Sequence, residues 1–260
     1  MKASVPHRWD VTPAEARQVQ LALRGRMERH DRLAPLRWVA GADVALDLNR
    51  RCAIAGVIVY SFPELAEVER VWAERPLTFP YVPGLLSFRE TPALLMAFER
   101  LERAPDLIFY DGHGYAHPRR FGIACHLGVL LDCPTVGCAK SRLIGSHGQP
   151  ARRAGSWTPL VDPAESPDGV EIIGAVLRTR EAAQPIYISQ GHRVSLERAI
   201  ELALAVCDGY RIPRPTREAD HFVEAVKRGE WTDKRAAGKS SAKVSRGKRP
   251  LSDTAHPSLF

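Results

Sequence analysis

Three carboxylates stand where hydrolytic chemistry could use them. Asp111 follows the apolar run DLIFY (106–110) directly. It thus sits at the carboxyl end of a short buried strand, the edge where open α/β sheets place their ligand crevices. Asp43 interrupts the apolar run WVAGADVALDL. A carboxylate inside such a strand costs several kcal/mol unless it is paired or holds a metal, although an Asp beside a glycine also suits an edge or a bulge. Glu90 closes PYVPGLLSFRE just before Thr91-Pro92. It can complement a helix N-terminus there, or join the other two acids. Carboxylates converging at strand ends form the hard oxygen set that Mg²⁺ takes, with room left for water and phosphate oxygens.

Other groups surround these acids. Lys140, after the short run PTVGC, reaches the same edge if that strand runs parallel to DLIFY; a surface lysine is the plainer alternative. The loop DGHGYAHPRRFG offers glycines for close backbone approach, His113 and His117 as donors, and Arg119-Arg120 as phosphate contacts. His113 and His117 stand four apart, but Pro118 and the glycines make the segment a loop, which disfavours a zinc site. Pro80-Tyr81-Val82-Pro83-Gly84 holds an aromatic ring stiffly between prolines. Such a ring can fill the gap left by an unstacked base, or simply pack its turn onto the body.

The elements that position these residues are legible as runs. A helix is expected over Thr12–Arg29, with Thr12 as cap, Pro13 at its first position and Glu15 completing a capping box. Strand-like runs follow at Trp38–Leu48, Arg51–Ser61 and Leu65–Glu74, the first two paired through a tight turn at Leu48-Asn49-Arg50. Arg75–Glu90 reads as irregular because of its prolines, with helix resuming at Thr91-Pro92. Then come a strand at Asp106–Tyr110, a helix at Phe121–Leu131 and strands at Pro134–Cys138, Val170–Arg178 and Pro185–Ser189. Helices at Ser195–Cys207 and Thr216–Arg228 complete the series. An antiparallel group followed by alternating strands and helices predicts one α/β domain with a mixed sheet flanked by helices.

Composition sets the outer limits. The 260 residues suffice for one large core, and 45% hydrophobic with 26% charged residues is ordinary for a globular protein. The five cysteines form no C-x-x-C pair and read as buried free thiols in a reducing compartment. The N-terminus has no signal-peptide core, and no run reaches the roughly 18 apolar residues of a membrane span, so a cytoplasmic protein with no membrane partner is expected. The net charge is +7, but eight Lys/Arg against Glu230, Asp233 and Asp253 put +5 of it after Lys227. The chain therefore divides into a catalytic domain, 1–228, and a basic tail, 229–260, expected to be disordered and able to add non-specific phosphate affinity.

Seven stretches taken together resemble one family, endonuclease V, the deoxyinosine-specific nuclease: VAGADVA (39–45), PYVPGLLSFRE (80–90), DLIFYDGHGYAHPRRFGIACHLG (106–128), PTVGCAKSRL (134–143), GAVLRTR (174–180), PIYISQGHRVSL (185–196) and PTREAD (215–220). The resemblance implies a ribonuclease-H-like fold and an expected monomer. It implies that Asp43, Glu90, Asp111 and Asp220 are the metal-associated acids, for Mg²⁺ with Mn²⁺ as an alternative, and that Lys140 is the active-site lysine. It further implies that Tyr81 within Pro80–Pro83 is the wedge, that Gly84, Leu86, Gly112 and Ile123 line a flipped-base pocket, and that His117 and Gly122 lie beside it. The implied reaction is hydrolysis of the second phosphodiester bond 3′ to deoxyinosine in DNA, with inosine-containing RNA, or another structure-specific nuclease activity on this fold, as the alternatives. Two departures stand out. Gln190 replaces the usual proline of an SPGH turn, and His221 directly follows Asp220, leaving the fourth acid ambiguous by one residue.

Overall fold

The structure, a computed structural model, describes residues 1–163 and 169–231. Of the basic tail only residues 229–231 fall among them; the rest of that expectation lies outside the described residues.

The chain begins with helix α1 (Pro13–Arg24), and the expected capping box is present: the Thr12 hydroxyl accepts from the Glu15 N–H while the Glu15 carboxylate accepts from the Thr12 N–H. The helix ends at Arg24, short of the expected Arg29, with Gly25 as its C-cap. Strands β1 (Trp38–Asp47), β2 (Cys52–Ser61) and β3 (Glu67–Pro76) form the antiparallel group. Helix α2 (Leu86–Glu99), strand β4 (Leu107–Tyr110), helix α3 (Ile123–Leu131) and strand β5 (Thr135–Ala139) follow. Strands β6 (Trp157–Pro163), β7 (Val170–Leu177) and β8 (Ile186–His192), then helices α4 (Leu196–Ala205) and α5 (Arg214–Lys227), complete the described fold.

All eight described strands join one sheet in the order β3-β2-β1-β4-β5-β8-β7-β6. Strands β1, β4 and β5 run parallel to one another and the remaining pairings are antiparallel. The expectation of a single mixed-sheet α/β domain therefore holds. Alternation along each strand divides the core. Val39, Leu107, Phe109, Val136 and Cys138 face the α4–α5 layer, with Ala199, Phe222 and Val226. Ala40, Ala42, Ile108 and Tyr110 face the α2–α3 layer, with Leu94, Phe98, Ile123 and Leu127.

Three further details depart from the sequence-based expectations. Strand β6 was not anticipated; two prolines in WTPLVDP disguise it, and both are tolerable because β6 is the edge of the sheet. Helix α2 starts at Leu86 rather than at Thr91-Pro92. The three prolines 76, 80 and 83 all precede its first turn, and Pro92 lies inside it. An interior proline costs about 3 kcal/mol, opposed here by the burial of Ala93, Leu94, Ala97 and Phe98. Finally, residues 189–192 belong to β8 and form no turn, so Gln190 is a buried strand residue.

Helix α5 approaches the sheet unusually closely. A Cβ on Gly41 would lie 1.9 Å from the Pro215 carbonyl oxygen, and one on Gly56 would lie 2.6 Å from Val223 Cγ1. Two glycines on neighbouring strands thus make the groove in which α5 lies. Gly41→Ala should destabilise the fold by about 1–3 kcal/mol through overpacking and lift α5 from the sheet. Denaturant unfolding measures this; an unchanged midpoint would mean that the close approach is not needed.

Candidate active site

Register brings the first two acids together. Ala42 pairs with Tyr110 across the parallel β1–β4 ladder, so Asp43 and Asp111, the next residues, stand side by side. Tyr110 pairs in turn with Gly137 of β5, and Lys140 follows the end of that strand at the same edge. Asp43, Asp111 and Lys140 point toward the α5 layer by strand alternation, and α5 supplies the third acid, Asp220. One carboxylate oxygen each from Asp43, Asp111 and Asp220 lie within 4.8 Å of one another. Asp220 rather than His221 joins them; the His221 ring faces outward with Glu218 at 3.9 Å.

Lys140 sits among these acids as a cation. Its Nζ is 2.6 Å from Asp111 Oδ2 and 2.9 Å from Asp220 Oδ2. Burial opposes its charge, but the two carboxylates win and hold the ammonium above its ordinary range. Burial also raises the Asp43 carboxyl well above the usual carboxylate range, and repulsion from Asp111 raises it further. Asp111 is raised by burial and by Asp220, against the pull of Lys140. Three crowded acids with one ammonium are short of positive charge. Their oxygen donors, spacing and partial exposure fit a hard divalent cation in addition to Lys140.

Glu90 stands apart from this group. It projects from α2, on the other face of the sheet, and accepts a hydrogen bond of 2.5 Å from the Tyr110 hydroxyl. Burial pushes its carboxyl up to about 7. It lies close enough for its charge to raise Asp43, but it is not among the three oxygens that converge.

Beside the acids lies a pocket of about 160 Å³ lined by Gly84, Leu86, Gly112 and Ile123, the four expected to line it, by His117 and Gly122, expected beside it, and by Tyr81 and Pro83 of the expected wedge. Gln20, Val82, Ser87, His113 and Leu143 also line it and were not assigned to it in advance. Pro80 faces a neighbouring depression with Leu48, Arg51 and Arg89 instead. A more open cleft of about 560 Å³ near Met27, Trp157 and Leu196 contains none of the acids. Tyr81 is 71% exposed, so it does not pack its turn onto the body. Its neighbours do that: Phe79, Leu85 and Phe88 are buried, with Val82 and Trp9 packed against them.

Two expectations for the 112–123 loop change. Arg120 is buried and paired with Asp162 at 3.0 Å and Glu171 at 2.8 Å, so it holds the loop to β6 and β7 and is not free for phosphate. Arg119 is spent on the pocket wall, donating to Gln20 Oε1 at 2.6 Å and to the Gly84 carbonyl at 2.5 Å. The histidines are neutral: burial lowers His117 to about 3 and His113 to about 4. His117 Nδ1 accepts from the Arg119 N–H, so Nε2 carries the proton and donates to Gly84 O at 3.0 Å. His113 Nε2 lies 3.0 Å from Ser141 O, while its Nδ1 is buried without a hydrogen-bond partner among the described residues.

Carboxylates gathered at the ends of parallel strands, beside a ring-sized pocket with a projecting aromatic, define a hydrolase of the nuclease class. The comparisons give the particular family. The endonuclease V profile matches residues 21–221, and the chain belongs to that family. The endonuclease V of Roseiflexus sp. (strain RS-1) is 49% identical over 220 residues, 85% of this chain and 96% of that protein. The crystal structure of endonuclease V from Streptomyces avermitilis aligns with a TM-score of 0.80 at 40% identity, covering 89% of this chain and all of that one (100%). Ciona intestinalis endonuclease V, solved with a 24mer DNA containing an inosine followed by a ribo-adenosine, aligns at a TM-score of 0.68 and 27% identity over 84% of this chain and 98% of that one.

His117 yields a stability prediction. Its folded pKa of about 3 lies below the ordinary 6.5, so the unfolded chain binds more protons between those values. The His117 contribution is therefore complete above pH 6.5 and is lost progressively as pH falls toward 3. His117→Gln, which carries no titrating ring, should flatten the fall in unfolding free energy across that window. Parallel curves for the two proteins would contradict a buried neutral histidine.

Proposed function

We propose that the chain is a Mg²⁺-dependent endonuclease of DNA repair. It recognises deoxyinosine in DNA and hydrolyses the second phosphodiester bond 3′ to it, leaving 3′-hydroxyl and 5′-phosphate ends. The observation that carries the reading is adjacency: Asp111 belongs to the acidic group and Gly112, the next residue, lines the pocket. Base recognition and bond cleavage are thereby linked through a single peptide yet remain spatially distinct, as a cut displaced from the lesion requires.

In this reading Asp43, Asp111 and Asp220 hold the metal, and Lys140 balances the charge and orients the acids. When bound, Mg²⁺ lowers the pKa of water and stabilises negative charge growing on the phosphate. Glu90, with a carboxyl near 7 and one oxygen held by Tyr110, is suited to hold or receive a proton at neutral pH. The water oxygen ends on phosphorus, the P–O3′ bond breaks, and O3′ takes up a proton. Tyr81 fills the space left by the extruded nucleotide while the pocket reads the base. Helices α2 and α3 both begin at the pocket without a side-chain cap; the Phe88 N–H is taken by Leu85 O and the Ala124 N–H by His113 O, and the first N–H groups of the two helices, at Leu86 and Ile123, suit the 6-oxo group of hypoxanthine.

One assay separates this from the alternatives: inosine-containing and adenosine-containing DNA and RNA, each with and without Mg²⁺, with products sized to the nucleotide. Cutting should require Mg²⁺ and inosine and should fall one nucleotide beyond the adjacent bond. Asp43→Ala and Asp111→Ala should remove it while leaving the fold intact. Tyr81→Ala should lower inosine selectivity by about 10- to 100-fold, the range of one lost base–aromatic stack. Cutting at strand junctions regardless of base would favour a structure-specific nuclease instead.

A further inference from the structure

We propose that Gln20 is a specificity-positioning residue: from helix α1 it locks the Gly84 carbonyl in a saturated hydrogen-bond clamp, removing from the pocket wall an acceptor that would otherwise welcome the 6-amino group of adenine. The proposal rests on the reading of this pocket as the site of the extruded base.

Gln20 occupies a core position that an apolar residue would fill more simply. Ala16 and Leu23, four before it and three after it, are buried on the same face of α1, and Gln20 itself is only 1% exposed. A buried amide is costly unless its groups are bonded. Here they are. Its Nε2 donates to Gly84 O at 3.2 Å and to Phe121 O at 3.2 Å, and its Oε1 accepts from Arg119 Nε at 2.6 Å. One side chain thereby ties together the tyrosine-bearing loop, the 112–123 loop and the entry to α3, and it lines the pocket as it does so.

The result at Gly84 is unusual. Its carbonyl receives Gln20 Nε2, His117 Nε2 at 3.0 Å and Arg119 Nη2 at 2.5 Å. A carbonyl oxygen has two lone pairs, so three donors leave no capacity for a fourth. The clamp also demands glycine: residue 84 has φ +76°, and a Cβ there would lie 2.9 Å from Arg119 Nη2.

The two competing bases differ in what they present at position 6. Hypoxanthine offers an oxygen and adenine an amine. A wall whose carbonyl is saturated gives the amine no partner, and leaving a polar group unpaired in a closed pocket is how enzymes reject near-isosteric bases. Loss of the Gln20 side chain removes one donor and releases Arg119, held by Gln20 Oε1, so that only His117 remains fixed on the Gly84 carbonyl and a lone pair opens.

The test uses the full chain and single-turnover cutting of matched duplexes that differ only in hypoxanthine or adenine at one position. Gln20→Leu keeps the size and removes every bond; Gln20→Glu keeps the acceptor for Arg119 and removes the donors. Gln20→Leu should lower the hypoxanthine-to-adenine rate ratio by about tenfold, the scale of one hydrogen bond, whereas Gln20→Glu, in which Arg119 and His117 still fill both lone pairs of the Gly84 carbonyl, should lower it far less. If the leucine variant fails to fold, Gln20→Met, which likewise lacks the acceptor for Arg119, should show the same tenfold loss of ratio. Equal loss on both duplexes, with the ratio unchanged, makes Gln20 merely structural and overturns the proposal. A wild-type enzyme with no preference for hypoxanthine overturns the base-pocket reading itself, and the clamp with it.

Discussion

The crowding of Asp43, Asp111 and Asp220 is the interaction on which the rest of the molecule turns. Three carboxylate oxygens within 4.8 Å repel one another, and nothing in their local sequence favours the arrangement. The sheet enforces it. Parallel register sets Asp43 beside Asp111, and the glycine groove at Gly41 and Gly56 presses α5 close enough to deliver Asp220. Lys140 offsets part of the repulsion, and the remaining negative charge is what a divalent cation would satisfy. Stability given up at this corner is recovered in the two apolar layers of the core, which bury large aromatic and aliphatic side chains on both faces of the sheet.

The pocket follows from the same geometry. The chain leaves β4 at Asp111, turns through Gly112 and enters α3 at Ile123, so any group bound in that turn lies beside the acids. The tyrosine-bearing loop closes the other side, held by buried Phe79, Leu85 and Phe88 while Tyr81 projects. The Arg120 pairs with Asp162 and Glu171 brace the turn against the far end of the sheet. These contacts fix the loops around the pocket while the Tyr81 ring projects from them.

Strand-end acids were readable because an Asp inside or directly after an apolar run is conspicuous. The parallel pairing of β4 and β5 meets the condition under which Lys140 reaches the same edge as Asp111. Asp220 could not be found that way: on an amphipathic helix it looks like any solvent-facing acid, and only the close approach of α5 brings it to the sheet. Arg119 and Arg120 were misjudged for the converse reason. A pair of arginines beside glycines reads as a phosphate site, yet the acids that bind Arg120 lie more than 40 residues away in sequence, on β6 and β7. Gln20 was silent because one polar residue on a helix is ordinary until its burial is known. Helix α2 and strand β6 were obscured by prolines, whose effect depends on whether they fall before a first turn, inside a buried helix or on a sheet edge.

The most direct test of the central claim is the thermal midpoint of the wild-type protein and of Asp43→Asn, each with chelator and with saturating Mg²⁺. Relief of carboxylate repulsion should make metal-free Asp43→Asn more stable than metal-free wild type, while Mg²⁺ should raise the wild-type midpoint strongly and the variant's little. A wild-type midpoint indifferent to Mg²⁺, or a variant that is less stable without metal and responds to it equally, would contradict the account.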